Sequence, residues 1–459
     1  MSLLNNLKTR LHTQPARGGL APGNFHFMRQ AGQGKKNLQL RIDEDGNGTL
    51  IVNAARVYHF NQTAAFMAFH LLNGRDAASL HAELMHTFRV SKTLAVTDLI
   101  AFREKFEPII DPLADACPVC DLELEIIEPF SKPPNLPYRM DLALTYRCNN
   151  ACLHCYNDPQ RKPEELVSAA WKQVLDKLWQ IGIPHVVFTG GEPTLRKDLP
   201  ELVKYAQHLG MVTGINTNGR RLSDPDYVKQ LVEAGLDHVQ ITLESHDAAI
   251  HDAIVNHAGA WQQTTAGIHN VLTSHLYVMT NTTLLKSNTA SLEQTLKYLS
   301  ELKVPTIGLN GLIYSGRGIT VGEGIREEEL PTLLAMAQFF TQTHEQRLIW
   351  YTPTQYCHFD PVSHGLGVKG CTAAAYNMCV EPDGSVLPCQ SYYQSLGNLL
   401  RDEWKSIWEH PLAISIRNKD YLQEKCHGCN LLAECGGGCP LYLQHEPQAE
   451  LHSMEKAKV

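Results

Sequence analysis

The chain has 459 residues, of which 43% are apolar and 19% are charged, and its formal net charge at pH 7 is −8. This length predicts about three domains, and the apolar fraction is ample for buried cores. The acidic balance argues against a nucleic-acid-binding protein, because such proteins carry a positive footprint. The sequence has no apolar run of about 18 residues, so we expect no membrane span. A multidomain cytoplasmic protein is therefore predicted.

The first predicted unit is a loose N-terminal segment, residues 1–36, which is polar and basic. It has no apolar core of the signal-peptide kind. A second unit is predicted over residues 37–110. Its elements are two short strands at 38–42 and 48–52 and three helices at 62–72, 77–88 and 93–106. Asn61 before the first helix and Gly74 after it are favoured capping residues.

This second unit resembles a known recognition domain. The segments Tyr-His-Phe-Asn-Gln-Thr-Ala from residue 58 and Leu-Leu-Asn-Gly-Arg from residue 71, with the helices that follow, are similar to the PqqD-like leader-peptide recognition domain of ribosomal peptide modification. The resemblance implies a small winged-helix-like α+β domain that binds a precursor's leader as an added strand at a sheet edge. The alternative is a generic winged-helix fold.

A proline-rich stretch, residues 111–138, is predicted to link this unit to the rest of the chain. It contains Cys117 and Cys120. A C-x2-C pair is typical of half a metal site or of a redox pair. The residues leave open a cluster ligand pair, a zinc site with a distant partner and an inert pair.

Three cysteines, Cys148, Cys152 and Cys155, follow an apolar stretch at 140–145 that is predicted to be a buried strand. Their spacing offers three thiolates to one inorganic centre. A four-iron, four-sulfur cluster needs four ligands, so three cysteines leave one iron open for a substrate or cosubstrate. The alternative is a structural zinc site, which usually pairs C-x2-C with a second Cys or His pair.

A glycine-rich turn follows about 35 residues after the triplet, with Gly190, Gly191, Glu192 and Pro193 at the end of another apolar stretch. Glycines allow the backbone to approach a ligand closely. Together with the triplet, this turn resembles the radical S-adenosylmethionine (SAM) superfamily. The resemblance implies that SAM binds the open iron and is cleaved reductively to a 5′-deoxyadenosyl radical. It also implies that the turn, with the Glu192 carboxylate, binds the SAM amino group.

Strand-like and helix-like segments alternate over residues 139–345, which predicts an α/β fold with a parallel sheet covered by helices. The resemblance implies a partial (βα)6 TIM-like barrel with its ligands at the carboxyl ends of the strands. It further implies that Asn218 and Ser245 lie near SAM and that His154 flanks the adenine. Each of the three has the alternative of a plain cap or turn residue. Many relatives carry Asp-Gly where this chain has Glu244 and Ser245.

A second cysteine-rich region spans residues 346–445, and residues 446–459 are predicted to be a tail. Six of its cysteines match the SPASM pattern, an auxiliary-cluster extension found on many peptide-modifying radical SAM enzymes. They are Cys371, Cys389, Cys426, Cys429, Cys435 and Cys439. Gly384 fills the glycine position, and a hairpin is predicted at 380–386. No cysteine follows Cys439, so the seventh cysteine of the pattern is missing.

The resemblance divides these cysteines between two clusters. The first takes Cys371, Cys389 and Cys439, and the second takes Cys426, Cys429 and Cys435. For the fourth ligand of the first cluster, Cys357 is favoured over Cys379, because Cys379 lies in strand-like sequence that is typical of a buried free cysteine. The fourth ligand of the second is a histidine, a carboxylate, another cysteine or none. Zinc binding, or a second cluster that only passes electrons, is the alternative.

These resemblances imply a radical SAM oxidoreductase of the SPASM type that cross-links or oxidises a ribosomally made precursor peptide held by its leader. The expected cofactors are SAM and 4Fe-4S clusters, one that binds SAM and one or two that are auxiliary. The expected electron donor is a flavodoxin or ferredoxin. The alternatives are sulfatase-maturase-like oxidation of Ser or Cys, modification of a tetrapyrrole or other small molecule, and a non-catalytic iron–sulfur or leader-binding scaffold.

Overall fold

The computed structural model describes residues 19–31, 34–53, 56–112, 134–158 and 160–445. The chain divides into two compact units. The first contains the N-terminal residues to 131 with residues 175–186 and 205–212, and the second contains the remainder. The predicted pair Cys117 and Cys120 and the tail 446–459 lie outside the described residues.

The first unit opens with an antiparallel sheet in the order β1-β2-β3-β4. Its strands are β1 (Gly23–Ala31), β2 (Gly34–Ile42), β3 (Gly48–Val52) and β4 (Arg56–Phe60). The helices that follow are α1 (Gln62–Leu72), α2 (Ala77–Phe88) and α3 (Lys92–Ile110). Each helix begins after a polar cap, Asn61, Asp76 or Ser91, whose side-chain oxygen accepts a hydrogen bond from an amide of the first turn.

Two strands of this sheet differ from the sequence-based expectation. The predicted strands at 38–42 and 48–52 and the three predicted helices are present, but β1 and β4 were missed. Residues 23–31, predicted to be part of a loose segment, pair with β2 from Gly23 opposite Ile42 to Ala31 opposite Gly34. Polar and apolar side chains of β1 are mostly half-buried, so its sequence lacks the apolar run that identifies an inner strand.

An aromatic cluster forms part of the core of the first unit. Phe60, Phe102 and Phe106 are each at most 3% exposed. Phe102 stacks on Phe106 with ring centroids 4.9 Å apart and meets Phe60 edge-on at 5.8 Å. Such pairs contribute beyond the apolar area they bury. The cluster therefore fixes α3 against the end of the sheet.

A larger sheet has the strand order β11-β10-β9-β8-β7-β6-β5-β12-β13-β14. Its strands are β5 (Arg139–Thr145), β6 (His185–Gly190), β7 (Val212–Thr217), β8 (His238–Thr242), β9 (Tyr277–Thr283), β10 (Thr306–Asn310), β11 (Arg347–Trp350), β12 (Asn377–Val380), β13 (Ser385–Leu387) and β14 (Gly397–Asn398). The pairs from β7 to β11 are parallel.

Helices follow the strands of this sheet in the predicted alternation. They are α4 (Ser168–Ile181), α5 (Leu199–Leu209), α6 (Pro225–Glu233), α7 (Ala248–Val255), α8 (Ala260–Leu272), α9 (Leu292–Glu301) and α10 (Leu330–Thr343). All residues of β6 and β10 are buried, as expected for parallel strands with both faces covered. The α/β architecture with six βα units, β5–α4 to β10–α10, confirms the predicted fold class.

The cysteine-rich region extends the same sheet. β12 pairs in parallel with β5, from Asn377 opposite Arg139 to Val380 opposite Leu142. β12 and β13 form the predicted hairpin, with Val380 opposite Val386. Short helices complete the region: α11 (Trp404–Trp408), α12 (Pro411–Asn418), α13 (Leu432–Cys435) and α14 (Pro440–His445). Within the described ranges, no helix has the length and apolar character needed to cross a membrane.

Replacing Phe102 with alanine should weaken the first unit by about 3–5 kcal/mol, because a large cavity would open in a closed aromatic cluster. Native-state hydrogen exchange of the α3 amides in the full chain measures this as a lower free energy of opening. Ile100→Ala on the same helix is the matched control, since Ile100 is 54% exposed and its loss should cost less than about 0.5 kcal/mol. Equal effects of the two substitutions would contradict the proposed role of the cluster.

Candidate functional site

The predicted site residues gather at the carboxyl ends of four neighbouring strands. The cysteine loop, residues 146–157, follows β5 directly. Gly190 to Glu192 end β6, Asn218 follows β7 by one residue, and Ser245 follows β8 by three. Because β5, β6, β7 and β8 are adjacent in the sheet, these residues share one edge. This is the edge at which parallel sheets bind ligands.

Two glycines allow the cysteine loop to pack directly on the end of β6. The amide of Gly191 donates to Thr145 O at 2.7 Å, and the amide of Glu192 donates to Arg147 O at 2.9 Å. A Cβ on Gly190 would lie 2.2 Å from Thr145 O, and one on Gly191 would lie 2.4 Å from Arg147 O. Gly190 also has φ +132°, which side chains rarely adopt. Any larger residue would therefore displace the backbone that leads into Cys148.

Glu192 connects the ends of β6 and β7. Its side chain is fully buried, and burial raises the pKa of the carboxyl. Oε1 accepts from the Thr217 hydroxyl at 2.7 Å and from the Thr194 amide at 3.1 Å, and Oε2 accepts from the Asn218 amide at 2.8 Å. The carboxylate thus holds the turn in shape, and Oε2 keeps acceptor capacity for one more donor.

Asn218 lies against the cysteine loop. Its side-chain amide donates to Asn149 Oδ1 at 2.7 Å and lies 4.0 Å from Cys148 Sγ. Its backbone carbonyl accepts from the Thr264 hydroxyl at 2.8 Å. Asn218 is therefore positioned both by α8 and by the loop that carries the thiols.

His154 and Ser245 make contacts within the protein. His154 Nε2 lies 3.1 Å from Oε1 of Glu244, a fully buried carboxylate whose Oε2 accepts from the Thr283 amide at 2.9 Å. Ser245 Oγ accepts from the Asp247 amide at 3.1 Å, at the start of α7. His154 thus fastens the cysteine loop to β8 and β9. Ser245 makes the turn contact that was the alternative to a role at SAM.

Two arginines hold the cysteine loop through contacts that the sequence did not predict. The backbone amide of Arg317 donates to Cys155 O at 2.9 Å, and its guanidinium donates to Cys152 O at 3.1 Å. The Arg220 guanidinium donates to Asn150 Oδ1 at 2.8 Å and to Asn149 O. Each arginine reaches the loop from a distant part of the sequence, so no local spacing identifies it.

The thiols of the cysteine loop suit an iron–sulfur cluster. Burial raises the pKa of Cys152 and of Cys155. Cys152 has the other two thiols of the loop as electrostatic neighbours, and Cys155 has Arg317. In the described part of the chain, no group of three or more His, Cys, Asp or Glu side chains has the geometry to hold a metal ion. The loop nevertheless supplies three soft sulfur donors from one anchored backbone, which is the donor set that such clusters take.

The predicted first auxiliary group contains Cys371, Cys389 and Cys439, and the structure brings Cys389 and Cys439 near Cys371. The thiol of Cys371 has Cys389 and Cys439 as electrostatic neighbours, and burial raises its pKa. Burial likewise raises the pKa of Cys389 to about 12. Cys379 is fully buried in β12, packed with Ala143 and Leu387. It therefore fits the predicted buried free cysteine.

The second auxiliary group lies on a turn and a short helix. Its predicted members are Cys426, Cys429 and Cys435. The Cys429 amide donates to Cys426 O at 3.2 Å, and Cys435 ends α13. Cys357, which the sequence favoured for the first group, has Cys426 and Cys435 as neighbours. The assignment of Cys357 to the first group stays a prediction.

Two polar side chains lie near both auxiliary groups. The Lys419 ammonium is an electrostatic neighbour of Cys371 and of Cys435, and burial lowers its pKa. The Tyr421 hydroxyl donates to Gly436 O at 3.1 Å. A cation close to thiolates stabilises their charged form. Lys419 therefore favours anionic ligands at both groups.

Comparison with known proteins identifies two domains in the chain. Residues 142–299 match the radical SAM superfamily, and residues 371–430 match the SPASM iron–sulfur cluster-binding domain. The first range contains the cysteine loop from Cys148 onward and the turn at Gly190. The second contains both Cys371 and Cys389 and the start of the second auxiliary group. Both matches coincide with motifs that the sequence predicted.

Three individual proteins illustrate the similarity. The PqqA peptide cyclase of Methylocella silvestris is 27% identical over 308 residues, which are 64% of this chain and 80% of the relative. The Fe-coproporphyrin III synthase of Methanosarcina barkeri is 29% identical over 327 residues, 64% of this chain and 81% of the relative. Streptococcus suis SuiB, solved with its precursor peptide SuiA, superposes with a TM-score of 0.66 at 15% identity, over 93% of this chain and 98% of that chain.

The structural match shows a shared fold. Because it covers 93% of this chain, it includes most of the first unit. The domain matches show which chemistry the cysteine loop and the auxiliary groups serve: a radical SAM domain takes SAM on a 4Fe-4S cluster, and a SPASM domain takes auxiliary iron–sulfur clusters. The chain therefore carries a radical SAM domain followed by a SPASM domain, and its relatives are radical SAM enzymes.

Proposed function

We propose that this enzyme modifies a ribosomally made precursor peptide by cross-linking or oxidising it. The observation that supports this most directly is the combination of a small sheet-and-helix unit, a radical SAM core and a SPASM domain in one chain. SuiB, which was solved with its precursor peptide, shares that fold over 93% of this chain. The PqqA peptide cyclase of Methylocella silvestris, which is 27% identical over 64% of this chain, also acts on a peptide.

The cofactors, when bound, supply a 5′-deoxyadenosyl radical that abstracts a hydrogen atom. Cys148, Cys152 and Cys155 would hold the cluster. We propose that Gly190, Gly191 and Glu192 receive the SAM amino group, with Oε2 of Glu192 as the acceptor. Asn218 and Ser245 would lie near SAM and His154 would flank the adenine, as the family resemblance implies. Arg317 and Arg220 hold the loop in place through its carbonyl oxygens.

The precursor would be held by its leader on the first unit. β1 and β4 are the outer strands of the small sheet, and each has one neighbouring strand among the described residues. An outer strand offers unpaired amide and carbonyl groups to an added strand. Met28 on β1, 47% exposed, offers an apolar side chain there. Main-chain pairing would supply affinity, and such side chains would supply specificity.

The cellular setting follows from the clusters. Iron–sulfur chemistry and a large number of free thiols suit a reducing compartment. Eleven cysteines of the described ranges are free. We therefore propose a cytoplasmic location and reduction by a flavodoxin or ferredoxin.

A second candidate function is modification of a tetrapyrrole side chain. It is favoured by the Fe-coproporphyrin III synthase, which is 29% identical over a similar share of the chain. The small N-terminal sheet unit has no evident use in such a reaction. The two candidates are separated by offering the same enzyme a peptide and a porphyrin.

Anaerobically reconstituted wild-type enzyme should form 5′-deoxyadenosine from SAM, whereas Cys148→Ala/Cys152→Ala/Cys155→Ala should form none, because it lacks the ligands of the SAM-binding cluster. With a ribosomally made precursor peptide as substrate, the wild type should yield a product that has lost two hydrogen atoms, measured by mass spectrometry. Consumption of a porphyrin with no change to the peptide would favour the second candidate. Absence of deoxyadenosine from cluster-loaded wild type would identify a non-catalytic scaffold.

Gly191→Ala should abolish iron binding at the cysteine loop, because the new Cβ would lie 2.4 Å from Arg147 O and displace the loop. The variant should hold about four fewer irons per chain than the wild type and should form no deoxyadenosine. Gly311→Ala is the matched control, since Gly311 also follows a strand of this sheet but its Cβ would have only ordinary contacts at 3.7 Å. A Gly191→Ala enzyme with a full complement of iron would contradict the packing role of this glycine.

A further inference from the structure

We propose that Cys357 is the fourth ligand of the second auxiliary cluster, which is then held by Cys357, Cys426, Cys429 and Cys435. This site replaces the missing seventh cysteine of the SPASM pattern with one that precedes the domain match, residues 371–430. The inference concerns how the iron is held and does not depend on the identity of the substrate.

The backbone beside Cys357 contacts the thiol of Cys435 directly. The amide of Tyr356 donates to Cys435 Sγ at 3.3 Å, and Thr354 O lies 3.8 Å from the same sulfur. Amide hydrogen bonds to ligand sulfurs are among the features that tune the potential of iron–sulfur clusters. The turn at 354–357 therefore contacts Cys435, a predicted ligand of the second group, and carries Cys357 next to it.

This turn is fixed from two sides. The amide of Gln355 donates to Oε2 of buried Glu327 at 2.9 Å, and Thr354 and Gln355 are at most 1% exposed. From the other side, a Cβ on Gly438 would lie 3.3 Å from the Gln355 amide nitrogen, so the loop after Cys435 packs closely on the same turn. The proximity of Cys357 to Cys435 thus follows from buried backbone contacts.

The charged surroundings of Cys357 are those of the second group. Its electrostatic neighbours include Cys426, Cys435 and the ammonium of Lys425. Those of Cys371 are Cys389, Cys439 and Lys419. Cys357 is exposed at the protein surface. Cys379, the other cysteine of the region outside the two groups, is fully buried in a strand. Four thiolates complete the ligand set of a 4Fe-4S cluster.

Two backgrounds test the assignment in the full chain. In the first background, Cys371→Ala/Cys389→Ala/Cys439→Ala removes the first auxiliary group. In the second, Cys426→Ala/Cys429→Ala/Cys435→Ala removes the second. Adding Cys357→Ala to the first background should release between about one and four further irons, as a three-iron cluster forms or the cluster is lost. Adding it to the second background should release none. Iron and sulfide content and electron paramagnetic resonance report both results without a substrate.

Cys379→Ala in the same two backgrounds is the control, and it should leave the second group's iron in place. Loss of iron on adding Cys357→Ala only in the second background would assign Cys357 to the first cluster and overturn the proposal. Unchanged iron in both backgrounds would make Cys357 a plain surface thiol. Loss in both would mean that Cys357 supports the fold of the region, and circular dichroism of each variant would show that change. Either result overturns the proposal.

Discussion

The pairing of the turn at Gly191 and Glu192 with the backbone of Thr145 and Arg147 determines the geometry of the site. Cys148 follows Arg147 directly, so the start of the cysteine loop takes its direction from two hydrogen bonds of 2.7 and 2.9 Å. A side chain at Gly190 would overlap the carbonyl oxygen of Thr145 in β5, and one at Gly191 would overlap that of Arg147 in the loop. The glycines of the turn thus serve the packing of the protein as well as the close approach of a ligand.

Positive charge directed at backbone carbonyls explains how a loop rich in thiols stays ordered. Arg317 contacts the carbonyls of Cys152 and Cys155, and Arg220 contacts that of Asn149. Burial raises the pKa of the Cys155 thiol, and the Arg317 charge opposes that rise. Because cluster ligation requires thiolates, a guanidinium near the loop lowers the cost of forming them. Arg317 therefore serves both structure and ligand chemistry.

Local patterns in the sequence were sufficient for the core fold and for the SAM-binding motif. The βα alternation depends on periodicity, and the triplet depends on spacing within eight residues, so both are legible in one stretch of chain. β1 was missed because its side chains are only half-buried and lack an apolar run. The contacts of Arg317 with the cysteine loop and the closeness of Cys357 to Cys435 were not predicted, for another reason. Their partners lie 162 (317 − 155) and 78 (435 − 357) residues away, and only the folded backbone brings them together.

The same C-x3-C spacing occurs twice in the chain, but the backbone between the two cysteines differs because one pair encloses three glycines. Cys148 and Cys152 are separated by residues with side chains and stay in one loop. Cys435 and Cys439 are separated by Gly436, Gly437 and Gly438, all in the left-handed region at φ +62°, +81° and +81°. A Cβ on Gly437 would lie 2.2 Å from a Leu422 side-chain carbon. These left-handed residues turn the chain sharply between the two cysteines. The thiol of Cys435 accepts from the Tyr356 amide, whereas Cys439 is an electrostatic neighbour of Cys371. The neighbours that each cysteine of such a pair meets therefore depend on the backbone conformation between the two as well as on their spacing.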